Sequence, residues 1–99
     1  MRKYVGSETD RIAVSAGTTF RLESLRQAVI PPYLMLMPFI ELPDFLTLKA
    51  EEYLDEDGVH GCTFVIHADQ AGDGELRLGF RDLQTEKITH GKAIAIQSL

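Results

Sequence analysis

Apolar and polar residues alternate along most of the chain, the period of a strand with one buried face. "RIAV" places Ile12 and Val14 on one side, and "TFRLES" turns Phe20 and Leu22 inward with Arg21 and Glu23 outward. In "GCTFVIHA", Cys62, Phe64, Ile66 and Ala68 oppose Thr63, Val65 and His67. "ELRLGFR" sets Leu76, Leu78 and Phe80 against Glu75, Arg77 and Arg81, and "KAIAIQS" points Ile94 and Ile96 inward. "DFLTLKA" predicts Leu46, Leu48 and Ala50 on one face, and Phe45, Thr47 and Lys49 on the other. "YLMLM" is apolar on both faces, as expected of a central strand. "LKAEEYLDE" (Leu48 to Glu56) also admits a short helical turn.

Turn signals separate these segments: "SAG" (Ser15 to Gly17), "DEDG" (Asp55 to Gly58), "DQAGDG" (Asp69 to Gly74) and "THG" (Thr89 to Gly91), the last placed just before the final strand. About seven short strands at this spacing predict an all-β chain folded as a two-sheet antiparallel sandwich. There is no repeat and no linker, so residues 1–99 are taken as one domain. The first ten residues fall outside the alternation, which leaves their order open.

"AVIPPYLMLMPF" (Ala28 to Phe39) departs from the alternation because almost every residue in it is apolar. A spanning helix needs about 20 apolar residues. Here Glu41 closes the run early, and Pro31, Pro32 and Pro38 would break a helix, so no membrane span is expected. "YLMLMPF" reads as a core strand and "AVIPP" as the loop feeding it. Two prolines stiffen that loop, which lowers the entropy lost when it binds.

Charge narrows the partners. The chain has a net charge of −5 and a pI near 5.0. An acidic surface repels nucleic-acid phosphates and anionic lipid headgroups, so a protein partner is the expectation, either as a monomer or as a weak homodimer. The single cysteine precludes an intrachain disulfide. Together with an N-terminus lacking an apolar signal region, this favours a cytoplasmic location.

Candidate chemistry is sparse. His60, His67 and His90 lack metal-ligand spacing, and no glycine-rich phosphate loop opens a helix. Cys62 falls on an inward face, where a thiol is inert. "EEYLDED" (Glu51 to Asp57) lacks the ordered oxygen spacing of a calcium loop and reads as a solvated charged segment able to steer a basic partner. No catalytic residue, metal or cofactor is expected, and the chain is read as non-enzymatic. Three loops stand out instead, at Ser24 to Pro32, Asp55 to Gly61 and Arg81 to Lys87. On a sandwich, loops gather at the ends of a rigid scaffold.

At these loops the chain resembles the chagasin-like inhibitors of papain-family cysteine proteases, in order and spacing more than in identity, from about Ile12 to Ile96. "VSAGTTFRL" fits the family's opening turn and strand, "LTLKAEEYL" its Leu-x-Leu segment with Tyr53, and "GVHGCTFVIHADQAGDGELRLGF" its glycine loop and hairpin. "RDL" stands at the Arg-Pro-aromatic loop, and "AIAIQ" at the last strand. The resemblance implies an immunoglobulin-like antiparallel β-sandwich of about seven strands. It also implies a wedge of three loops that blocks a protease cleft without reacting. By position the wedge is Val29, Ile30, Pro31 and Pro32, then Gly58, Val59, His60 and Gly61, then Arg81, Asp82 and Leu83. The loops depart from the family's pattern. Val-Ile-Pro-Pro replaces a Thr-Thr-Gly tip, His60 stands for glycine, Asp82 for proline, Leu83 for a large aromatic, and Met35 for the strand tryptophan. The alternative reading is a noncatalytic immunoglobulin-like interaction module that has lost protease inhibition.

Overall fold

The computed structural model describes residues 1–24, 27–28, 36–56 and 59–99. Among these residues, nine strands pack as two sheets. They are β1 (Lys3–Val5), β2 (Arg11–Val14), β3 (Thr19–Glu23), β4 (Gln27–Ala28), β5 (Leu36–Glu41), β6 (Leu46–Glu56), β7 (Val59–Ala68), β8 (Gly72–Asp82) and β9 (Ile88–Ser98). The all-β sandwich expected from the alternation is the fold observed.

In the first sheet β7 is central. β3 and then the short β4 pair antiparallel with successive stretches of one edge of β7, β6 pairs along the other edge, and β1 lies outside β3. The second sheet runs β2-β9-β8-β5. Two pairings are parallel, β1 with β3 and β2 with β9, and both lie at sheet edges. The N-terminal residues, which the alternation left unassigned, therefore cross from one sheet to the other. They do so through a single 3-10 turn at Gly6–Glu8. Gly6 is buried there, and a β-carbon on it would lie 2.6 Å from the Glu23 carbonyl oxygen and from Leu78 Cδ1.

The inward rows interlock as the alternation requires. Phe20 and Leu22 of β3 and Cys62, Phe64, Ile66 and Ala68 of β7 face Ile12 of β2, Leu76 and Leu78 of β8, and Ile94 and Ile96 of β9, all buried. Fully burying a side chain of this size contributes about 2 kcal/mol. Tyr4 extends the core at the β1 edge, meeting Phe20 edge to face at 5.8 Å, with the Arg2 guanidinium 4.9 Å above its ring.

Several expectations are corrected. β5 is an edge strand, not a central one, and Pro38 sits within it opposite Phe80. An edge is where a strand tolerates a residue that cannot donate to a ladder. No helical turn forms at 48–56, because β6 runs unbroken to Glu56. Its register against β7 slips at Lys49: Leu48 pairs with Ile66, but Ala50 with Val65. The extra residue turns Ala50 outward and moves Glu51 and Tyr53 opposite the buried Phe64 and Cys62. Phe45, expected on the outer face, precedes β6 in a turn and lies buried over Gly72. Thr89 to Gly91 belong to β9 itself rather than to a turn before it. The "SAG" turn is as expected, with Gly17 at φ +89°.

Candidate functional site

Strand register brings three connections to one end of the sandwich. β4 ends at Ala28 opposite Val59, where β7 begins, and β6 ends opposite the same residue. β5 begins at Leu36 opposite Asp82, the last residue of β8. The chain between Ala28 and Leu36 thus leaves from beside the β6–β7 connection and arrives beside the β8–β9 turn. The sequence groups the same three connections by analogy, and the ladders group them by geometry.

The proposed contact residues distribute unevenly over this end. Val29, Ile30, Pro31, Pro32 and Gly58 lie outside the described residues, as does Met35. Val59, His60 and Gly61 are paired strand residues of β7, opposite Glu56, Asp55 and Leu54. The middle connection is therefore shorter than the sequence pattern suggested, and Gly61 is buried. Arg81 and Asp82 close β8, and Leu83 opens the turn.

That turn is built by Asp82. Its carboxylate Oδ1 accepts from the backbone N–H groups of Gln84 at 2.8 Å and Thr85 at 3.3 Å. Its own N–H donates to the Lys87 carbonyl at 2.9 Å, closing the hairpin, and its carbonyl accepts from Glu86 N–H at 2.7 Å. Glu86 reverses the chain at φ 61°, a left-handed conformation that a side chain disfavours. The result holds Leu83 out in solvent at 43% exposure, with Ile88, cross-strand from Arg81, at 39%. Arg81, Asp82, Leu83, Glu86 and Ile88 line one depression.

Tyr53 completes the set on β6. It is 49% exposed although its partner across the ladder, Cys62, is buried. The phenol donates to Glu51 Oε2 at 2.5 Å, and that carboxylate, with some desolvation, pushes the Tyr53 pKa up to about 12. The Arg81 guanidinium acts weakly in the opposite sense. Setting aside the terminal Met1 and Leu99, the large hydrophobic side chains exposed among the described residues are Tyr53, Leu83 and Ile88, all toward this end. Sequence reasoning singled out Leu83 and missed the other two. Ile88 was hidden because the last strand was started too late, and Tyr53 because nothing in "LKAEEYL" marks the bulge at Lys49.

Cys62, expected to be inert, lies beneath this end with its thiol buried. Desolvation first, and then the Glu51 carboxylate, push its pKa up to about 11. A raised folded-state pKa means that the native protein holds its proton longer than the unfolded chain. The associated stability is then complete below pH 9 and drains away as pH rises to about 11. Urea midpoints measured from pH 8 to 11 should fall across that window, and Cys62→Ala should flatten the fall. Equal slopes in both proteins would assign the alkaline loss to other groups.

The remaining polar contacts are structural. His67 stands on the outer face with Nδ1 2.8 Å from Thr19 Oγ1, and Thr47 donates to Asp69 nearby. His90 meets Glu41 at 3.3 Å and packs edge-on to Phe39. No group of three or more metal-ligating side chains occurs among the described residues, and no helix there is long and apolar enough to cross a membrane.

No family model matches the chain, and neither does any curated protein. Solved structures do. The cysteine protease inhibitor EhICP2 from Entamoeba histolytica aligns with a TM-score of 0.69 at 14% identity, over 99% of this chain and 92% of that one. Amebosin, known from a solution structure, aligns with a TM-score of 0.48 at 10% identity, over 98% of this chain and 94% of that one. The first likeness is one of fold, and it is the sandwich that the resemblance to chagasin-like inhibitors implied.

Proposed function

We propose that a chain with the sandwich of a cysteine protease inhibitor uses it in that way, occluding the cleft of a papain-family enzyme with the connections at one end. The observation carrying this reading is the coincidence of two independent features at that end. Three connections converge there by register, and the large hydrophobic side chains exposed among the described residues away from Met1 and Leu99, namely Tyr53, Leu83 and Ile88, gather around them. Exposed apolar side chains grouped at loop tips mark a protein contact surface. The contact set is Val29, Ile30, Pro31 and Pro32, Gly58 to Gly61, and Arg81 to Leu83. Ile30 acts as the apolar plug, and Arg81 contacts one flank. Inhibition is steric, and the chain carries out no chemistry of its own.

The test is a titration of a papain-family protease with this protein, followed by a fluorogenic peptide substrate. Tight reversible inhibition with the protein left uncleaved is expected, and Ile30→Asp should abolish it while the far-ultraviolet spectrum stays unchanged. Absence of inhibition at tens of micromolar, where binding would be weaker than about −7 kcal/mol, would remove the reading. The second reading, a noncatalytic interaction module on the same sandwich, is favoured by the third turn. There Asp82 and Leu83 replace the proline and aromatic of the inhibitor pattern.

A further inference from the structure

An edge strand with unpaired N–H and C=O groups is a template for another chain. Among the described residues, β1 and β2 are edges of only three and four residues. β6 is a longer edge, but the extra residue at Lys49 breaks its line, and Lys49, Glu51 and Glu52 charge it. β5 differs from all of these. Leu36 to Ile40 carries no charge, and the ladder to β8 occupies one side of it. Neighbouring hydrogen bonds fix which backbone groups face the other side. Asp82 N–H donates to Lys87, opposite it across the hairpin, and Ala95 N–H donates away from β8, to Asp10. Alternation along β8 then turns the N–H groups of Leu78 and Phe80 toward β9, and those of Arg77, Gly79 and Arg81 toward β5. Met37, Phe39 and Glu41 therefore hold the ladder, and the backbone polar groups of Leu36, Pro38 and Ile40 face the free edge.

We infer that the free edge of β5 is a latent pairing surface for a second copy of this chain, and that Pro38 holds it closed so that the chain works as a monomer. The inference is independent of the inhibitor reading. A two-fold axis through residue 38 would set Leu36 of one copy against Ile40 of the other, each pair exchanging two hydrogen bonds, with residue 38 against its own counterpart. The segment is apolar on both sides of that axis, so no charge opposes the pairing. This symmetry selects a second copy over a foreign strand. Proline cancels it at the centre, because it has no N–H to donate and the two rings would meet where the two donors should be. The ring leaves the fold itself intact. Its nitrogen faces the free edge, where no ladder bond is lost, and the residue is buried opposite Phe80. An apolar edge strand is otherwise an aggregation site, and one proline supplies here the guard that charge and a bulge supply on β6.

Sedimentation velocity and amide exchange test the inference together. The parent should sediment as a single species of 11.1 kDa. Its Leu36 and Ile40 amides should exchange quickly, while those of Met37, Phe39 and Glu41 are protected. Pro38→Val keeps an apolar, strand-favouring side chain at the buried position. It should tighten self-association about 30-fold, the effect of two hydrogen bonds of ordinary strength. Protection should then appear at Leu36 and Ile40 as concentration rises. Adding Leu36→Pro to that variant should restore the monomer, because the nitrogen of residue 36 also faces the free edge, and should leave exchange at Phe39 unchanged. A Pro38→Val protein that sediments like the parent at every concentration would overturn the inference. So would protected Leu36 and Ile40 amides in the monomeric parent, a result that depends on no variant folding. A parental dimer would refute it as well.

Discussion

Gly79→Ala is expected to lower stability by about 3 kcal/mol, the upper range for forcing atoms into a packed site. The reason lies in the register of the β8–β9 hairpin. Leu78 pairs with Lys92 but Gly79 with His90, which leaves Gly91 as an extra residue on β9. The resulting bulge swings the Thr89 carbonyl across the face of Gly79. A β-carbon there would stand 2.2 Å from that oxygen and 3.0 Å from His90 Cα. Both obstacles are backbone, so no rotamer change relieves them. For a domain of this size the loss corresponds to a fall in Tm of about 15 °C. The hairpin beyond the bulge is the arm that presents Arg81, Leu83 and Ile88, so any inhibitory activity should weaken in parallel. A variant melting within 3 °C of the parent would show that the bulge relaxes cheaply.

Asp82→Pro is the second large effect, expected to cost about 2–3 kcal/mol even though it restores a residue of the chagasin-like pattern. Proline removes the N–H that closes the hairpin on the Lys87 carbonyl, and the substitution also deletes the carboxylate that accepts from Gln84 and Thr85. Hydrogen bonds of this kind contribute about 1 kcal/mol each. Amide exchange should register the change locally, with protection lost at Gln84 and Thr85, whose acceptor is removed, before β7 is affected. Retention of that protection with unchanged stability would mean that the turn has another way to close. In this chain the third turn works by an aspartate mechanism that excludes the proline one.

That turn shows where the sequence stops being legible. Alternation located most of the buried rows of β3, β7, β8 and β9, because each strand keeps its phase over the residues that enter the core; the exceptions are Phe80, expected inward but only half-buried, and Glu23, expected outward but buried. It misjudged β6, where a single inserted residue at Lys49 reverses the phase. Ala50, Glu51 and Tyr53 carry no turn chemistry that would announce a bulge. It also misjudged β5, since an apolar edge strand and an apolar central strand look alike by composition. Pro38 was the available sign of an edge. For the site, spacing was enough to name the loop around Leu83. Ile88 and Tyr53 became visible only through pairing, because exposure at a strand end depends on where the facing sheet stops.

The parallel pairing of β2 with β9 has a kinetic consequence. Ile12 lies against Ile96 and Val14 against Ser98, so the second sheet gains its outer strand only when residues from opposite ends of the chain meet. During synthesis β2 must wait until β9 has been made before its partner exists. Until β9 is in place Ile12 has no partner in its own sheet. Topologies dominated by such distant contacts fold on the millisecond-to-second scale. The last strand thus acts as a latch, and a chain lacking β9 would hold a half-closed sandwich with its apolar interior open to other chains.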